Sequence, residues 1–163
     1  MNAATKTAAP EIVFTMGLPG AGKSTAMARM GLTDTHTVID PDAIKAAMPG
    51  YDPKRPELGH EESTKAAEAM FLSALAGGVG QWIVDGTGTN AEKMGRRIRQ
   101  AQAQGFTTRL VFVKVSLATA LARNAARART VPEYVVREKA LDIATAFEIV
   151  APAADSVVVV END

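Results

Sequence analysis

Eight residues constrain the fold of this chain more than any others: Gly17-Leu18-Pro19-Gly20-Ala21-Gly22-Lys23-Ser24. They match G-x-x-x-x-G-K-[ST] at every fixed position. The segment before them, Glu11–Met16 (EIVFTM), is a short apolar run rich in strand formers, and Lys23–Met30 after them reads as a helix. A glycine-rich turn between a buried strand and a helix lets successive backbone N–H groups turn inward. The helix start adds unpaired donors and the positive end of its dipole. Such a loop cradles the phosphates of a nucleoside triphosphate. Lys23 reaches the β and γ phosphates, and Ser24, followed by Thr25, offers a hydroxyl to Mg²⁺. The expected nucleotide is ATP with Mg²⁺, although no adenine-reading motif is legible.

The remaining sequence alternates strand and helix. Thr35–Asp40 (THTVID) reads as a second strand and Asp42–Met48 as a short helix. Gly50–Gly59, with Pro53 and Pro56, is a loop. Glu61–Leu75 is a helix with Ala66, Ala67, Met70, Phe71 and Ala74 on one face. Gln81–Asp85 (QWIVD) is a third strand, and Asn90–Gln104 a helix with Asn90 as its cap. Thr107–Val115 is a fourth strand. Ser116 caps a helix over Leu117–Ala128, Pro132 opens another running to about Val150, and Ser156–Glu161 is a last strand. Apolar strands separated by helices predict a five-stranded parallel sheet with helices on both faces, a three-layer α/β domain.

The 163 residues suit one domain, here 11–163, with Met1–Pro10 as a frayed tail. The absence of cysteine excludes a disulfide or a thiolate metal site, and no apolar run is long enough to span a membrane. A cytoplasmic location is the expectation, and no membrane partner. Net charge is zero, yet from Lys93 to Lys139 eleven basic residues meet only Glu133 and Glu138, a net of +9. These cations are either solvated helix faces or a basic face for phosphates, of ATP or of a nucleic acid.

Gly86-x-Gly88-x-x-Ala91 also follows a strand, but no acid ends the next strand as a dinucleotide site requires. Gly86–Asn90 is therefore a loop beside the phosphate site. Ligands of open parallel sheets bind at the carboxyl ends of the strands, where Asp40, Asp42 and Asp85 fall. Asp85 is placed to hold Mg²⁺ through water or to accept a hydrogen bond from a substrate, or it is a loop or cap aspartate. Gly86, not a glutamate, follows it, which argues against a motor-type ATPase. In Asp40-Pro41-Asp42, the proline holds Asp40 extended. Asp42 is placed to take a proton from an attacking hydroxyl, or it merely caps Ala43–Met48. Lys45, one turn on, is placed over an acceptor or a phosphate. Arg123, Arg127 and Arg129 cannot share one face of a continuous helix. If the helix breaks near Ala128 they converge on a triphosphate as a lid over about 123–132; otherwise they are a basic helix end. Tyr51, His60 and Trp82 are candidates to contact a base or sugar, or else pack; His36 is read as structural.

Taken together, these motifs resemble the small P-loop kinases that include polynucleotide 5′-hydroxyl kinases and zeta-type toxins, over about Ile12 to Ala146. The resemblance implies that Asp42 is the general base and Lys45 the basic residue beside it, where polynucleotide kinases have arginine. It implies that Val84-Asp85-Gly86-Thr87 is the substrate segment, and that Arg123, Arg127 and Arg129 before Val131-Pro132 are the lid. Ile39-Asp40-Pro41-Asp42 and Pro49-Gly50-Tyr51 are similar to zeta-type toxins, which phosphorylate a UDP-amino sugar but usually carry glutamate where Asp85 stands. Asp85 and Arg123-Asn124 with Arg127 are similar to polynucleotide kinases, and related phage kinases act on hydroxymethylated bases in DNA. The expectation is an ATP·Mg²⁺-dependent phosphotransferase with a hydroxyl acceptor, a nucleic acid or nucleotide favoured. A nucleotide-dependent switch or DNA-stimulated ATPase is the rival, and the oligomeric state is not legible.

Overall fold

The computed structural model describes residues 9–55, 57–128 and 130–163. Five strands form one sheet in the order β2-β3-β1-β4-β5, each pair parallel. They are β1 (Glu11–Met16), β2 (Thr37–Ile39), β3 (Gln81–Val84), β4 (Thr107–Lys114) and β5 (Ser156–Glu161). The α-helices are α1 (Lys23–Arg29), α2 (Leu32–Thr35), α3 (Pro41–Ala46), α4 (His60–Gly77), α5 (Ala91–Ala103), α6 (Leu117–Ala126) and α7 (Glu133–Val150). The expected α/β architecture is therefore present. The four-residue α2 is an addition, since its single turn is too short to carry a helical period.

The central strand β1 sends alternate side chains to opposite faces. Ile12, Phe14 and Met16 join Leu110 and Phe112 of β4 under α4, α5 and α7, where Phe71, Ile98 and Val136 are buried. Phe14 and Phe71 meet edge to face at 6.2 Å. Each such burial contributes about 1.5–3 kcal/mol. Val13, Ile83, Val111 and Val113 face the other way, onto Ala26 and Met27 of α1 and Leu32 of α2. Helices thus cover both faces unequally, and beyond α1 the second face closes with polar contacts. There Arg109 Nη2 donates to both carboxylate oxygens of Glu11 at 2.9 Å, and His36 Nε2 meets Glu11 Oε1 at 2.8 Å, which gives His36 the structural place expected of it.

Helix starts follow local chemistry. Asn90 and Ser116 accept the N–H groups of Lys93 and Thr119, as the sequence indicated. At α3 the expected alternative is corrected. Asp40, not Asp42, is the cap: its carboxylate accepts the Asp42 N–H at 2.9 Å, and Pro41 opens the first turn. Capping is therefore accounted for without Asp42, whose side chain is exposed at the start of α3. Helix α6 stops at Ala126, two residues before the expected end, because Arg127 turns extended (φ −81°, ψ 150°).

Candidate active site

The phosphate loop is rooted in both halves of the core. Leu18 is buried in the first apolar cluster and Ala21 in the second, so the turn between them has little freedom to move. Gly20 has φ +84°, and a Cβ there would lie 2.6 Å from the Ala120 carbonyl oxygen of α6. Only glycine tolerates both the backbone and the approach. Helix α1 follows Gly22 with no side-chain cap, in contrast to α3, α5 and α6, and has no acid in its first turn. Its first N–H groups are thus left to a ligand rather than to a side chain. Ser24 and Thr25 are exposed on that turn.

Lys23 arches back over the loop, donating to the carbonyls of Gly17 at 3.0 Å and Leu18 at 3.2 Å. Burial holds its ammonium below the ordinary lysine range. The charges of Asp85, Asp42 and Asp40 oppose that shift, and Arg127 adds to it. Four of the residues singled out from sequence, from three separate parts of the chain, are therefore within electrostatic reach of one ammonium.

Strand register explains this convergence. Ile39 pairs with Val84, so Asp40 and Asp85 each stand one residue beyond the ends of adjacent strands; the Asp85 N–H donates to the Ile39 carbonyl at 2.9 Å. Phe14 also pairs with Val84, which sets Thr15 beside Asp85. The buried Thr15 hydroxyl donates to Asp85 Oδ1 at 2.7 Å and accepts the Gly86 N–H at 3.0 Å. The Thr87 carbonyl accepts the Gly17 N–H at 3.0 Å. The substrate segment expected at Val84–Thr87 is thus tied to the strand end and to the first residue of the loop. Burial pushes the Asp40 carboxyl above its usual range, and the neighbouring charges of Asp85 and Asp42 push it further.

Of the three arginines, Arg123 and Arg127 have different roles. Arg123 donates to the Ala21 carbonyl at 3.2 Å and to the Asn162 carbonyl at 2.7 Å, so its guanidinium braces the floor of the loop. Arg127, released by the end of α6, donates to Asn124 Oδ1 at 3.0 Å and is the arginine felt by Lys23. Arg129 lies outside the described residues. The buried Asn124 closes this turn by donating to the Val131 carbonyl at 2.7 Å and accepting the Val131 N–H at 3.0 Å. The lid expected near 123–132 is therefore a hydrogen-bonded turn with Arg127 at the site and Arg123 beneath it. Lys45 is buried in α3, with its stem near Gly59 at the start of α4.

Among the aromatic candidates, Trp82, two residues before the carboxyl end of β3, donates its indole N–H back to the Val79 carbonyl at 2.9 Å and packs on the core. Tyr51 and His60 lie on the connection between α3 and α4 and at the first turn of α4. Several cations of the basic stretch have partners within the fold. Arg97 pairs with Glu68, Arg109 with Glu11 and Arg137 with Glu133, while Arg123 serves backbone carbonyls.

Four residues at the site had no distinct signal in the sequence as chemistry: Thr15, Asn124, Lys139 and Asn162. Lys139 of α7 donates to Thr87 Oγ1 at 3.3 Å, and Asn162, just past β5, donates to the Ala21 carbonyl at 2.7 Å. A hydroxyl inside an apolar strand run, as at Thr15, was the one legible hint.

The oxygen donors fit a hard cation. Ser24 offers a hydroxyl, and Asp40 and Asp85 offer carboxylates, which is the chemistry Mg²⁺ takes when substrate phosphates and water complete its shell. Among the described residues no group of three His, Cys, Asp or Glu side chains is arranged to hold an ion. No helix of the described residues is long and apolar enough to cross a membrane.

Similar folds recur in solved structures. The chain superposes on a structure from the PezAT toxin–antitoxin system of Streptococcus pneumoniae with a TM-score of 0.67 and 16% identity, covering 99% of this chain and 71% of that one. A component of the Pnkp1/Rnl/Hen1 RNA repair complex gives 0.64 at 17% identity, over 91% of this chain and 48% of that one, so this chain spans about half of its length. Shikimate kinase from Acinetobacter baumannii, in complex with shikimate, gives 0.56 at 14% identity, over 94% and 83%. At these identities the likeness shows the fold, that of the P-loop kinases. No curated protein matches the chain in sequence. The family model described as AAA domain matches residues 12–149, and the chain belongs to that family.

Proposed function

We propose that this protein is an ATP- and Mg²⁺-dependent kinase that transfers the γ-phosphoryl group to an acceptor hydroxyl, on a nucleotide or nucleic acid. One observation carries the reading: strand register sets Asp40 and Asp85 at the ends of adjacent strands, with Asp42 at the start of α3, and the segment after Asp85 is bonded to the loop that Lys23 spans. A hydrolytic switch needs a cradle for phosphate; a kinase also needs a base for the acceptor and a cation over the transferring group.

In this mechanism the loop N–H groups and Lys23 hold the triphosphate. Ser24 and Asp85 would hold Mg²⁺, which would supply positive charge to neutralise the phosphates. Asp42, exposed at the start of α3, accepts the proton of the attacking hydroxyl. Thr15 fixes the orientation of Asp85, and Arg127 stabilises charge on the phosphoryl oxygens. Arg123 supports the loop from below. The choice of a nucleotide or nucleic-acid hydroxyl rests on the resemblance of Asp85 and the Arg123–Val131 segment to polynucleotide kinases, and a structural neighbour belongs to an RNA repair complex.

Incubation with γ-labelled ATP and a panel of acceptors tests the proposal. The panel is single-stranded DNA, RNA, nucleosides and their monophosphates, hydroxymethyl-containing DNA, UDP-amino sugars and shikimate. Label is expected on a nucleotide or nucleic acid. Label on a UDP-amino sugar or shikimate keeps the kinase reading and corrects the acceptor. Free phosphate alone across the panel defeats it in favour of a hydrolytic switch.

A further inference from the structure

We infer that Lys139, with the hydroxyls of Thr87 and Thr89, forms a subsite for an anionic group carried by the acceptor next to its reacting hydroxyl. The inference rests on the kinase reading and narrows its acceptor class.

Lys139 occupies an unusual row of its helix. It follows Val136 by three residues and precedes Ile143 by four, and α7 turns both of those, with Ala146 and Val150, into the core. Residues at these spacings share a helix face. A lysine in that row is at odds with the general rule that such charges stay in water unless paired. A lysine stem can lie along apolar surface while its ammonium reaches outward. The point it reaches is Thr87 Oγ1, at 3.3 Å. Thr89 Oγ1 lies 3.5 Å from the same hydroxyl.

The partners of the other cations sharpen the assignment. Arg97, Arg109 and Arg137 each have a carboxylate, whereas among the described residues Lys139 forms no ion pair. A half-buried ammonium satisfied by one neutral hydroxyl has donor capacity to spare. When Lys139 donates to Thr87, the Thr87 proton is turned away from it, toward Thr89 or a ligand. The result is a compact set of one ammonium and two hydroxyls, suited to phosphate or carboxylate oxygens.

Position decides which substrate brings the anion. Thr87 follows β3 and is bonded through its carbonyl to Gly17, so it borders the loop on the β3 side with Asp85. The loop's opposite flank, at Ala21, is held by Arg123 and Asn162 from the β4–β5 side. The Lys139 cluster therefore lies on the Val84–Thr87 segment, which the resemblance assigns to the acceptor, and away from the Ala21 flank.

The test compares matched acceptors on protein saturated with Mg²⁺ and a non-hydrolysable ATP analogue. Calorimetry with thymidine 3′-monophosphate against thymidine reads a phosphate, and gluconate against glucitol reads a carboxylate. The wild-type protein is expected to favour the charged member of at least one pair by about tenfold or more. The pair that shows the preference identifies the anion. Lys139→Gln is expected to reduce that preference to within about twofold, Lys139→Arg to restore most of it, and neither to alter affinity for the ATP analogue. Absence of preference in both pairs, or a preference that survives Lys139→Gln, overturns the subsite. Labelled-ATP transfer is scored separately. Equal phosphorylation of charged and neutral acceptors defeats the subsite and leaves the kinase standing, whereas selective anion binding without transfer defeats the kinase reading alone.

Discussion

Asn162 is 141 positions from Ala21 in sequence, yet its Nδ2 donates to the Ala21 carbonyl at 2.7 Å. A peptide unit is planar, with its C=O and N–H pointing in opposite directions. Holding the Ala21 carbonyl toward β5 therefore aims the Gly22 N–H away from β5, into the phosphate cradle. Asn162→Ala removes one such bond, with a net value of about 0.5–1.5 kcal/mol. Arg123 still donates to the same oxygen at 3.2 Å, so that carbonyl is not orphaned. The expected loss of ATP affinity is about two- to twelvefold. Asn162→Asp goes further, because it sets a carboxylate oxygen against the carbonyl and adds a negative charge beside the triphosphate. A loss of more than about tenfold is expected there. Titration calorimetry with ATP, ADP and adenosine checks the reasoning: the loss should be largest for ATP and absent for adenosine. ATP affinity within about twofold of wild type in Asn162→Asp, with the protein still folded, would refute it. So would an equal loss for adenosine, which has no phosphate for the loop to grip.

Further expectations follow from the same geometry. Asp42→Asn removes the proposed base, and turnover should fall by about 10²–10⁴ in a phosphate-transfer assay while ATP binding persists. Thr15→Val preserves shape but strips Asp85 and the Gly86 N–H of a buried partner, so urea denaturation should show a loss of about 1–3 kcal/mol. Asp40→Asn keeps a side chain able to cap α3 and removes a carboxylate that burial and Asp85 make costly. The folded-state pKa of Asp40 is raised, so its penalty exists above that pKa and disappears as pH falls through it. The variant should therefore melt higher than wild type at neutral pH, and the gap should close in acid. Lys23 gives the opposite pH trend. Its pKa is depressed below the ordinary 10.5, so the unfolded chain binds more protons between the lowered value and 10.5, and stability from this group rises with pH across that window. Bound phosphates favour the ammonium, so ATP affinity measured by calorimetry should fall over the same window.

Local chemistry determined much of this protein before any contact was known. The strand–glycine loop–helix unit at Glu11–Arg29, the parallel α/β alternation, and the caps Asn90 and Ser116 all follow from side-chain type and near-neighbour spacing. Asp85 was legible as an acid at a strand end because an apolar run stops there. What remained open was every choice that depends on register or on where a long side chain ends. Pairing of Ile39 and Phe14 with Val84, which no local pattern encodes, put Asp40, Asp85 and Thr15 together. Of the two aspartates flanking Pro41, the sequence suggested Asp42 as a candidate cap; the structure assigns the role to Asp40. Three arginines in one run were indistinguishable until the end of α6 at Ala126 sent Arg123 under the loop and Arg127 to the Lys23 side. The basic stretch read as a single feature because sequence counts charges, whereas folding distributes them over α5, β4, α6 and α7 and supplies several with partners. Lys139 and Asn162 were silent for a related reason: their partners are 52 and 141 positions away, and only the packing of α7 on α5 and α6 and the pairing of the last strand with β4 bring them to the loop.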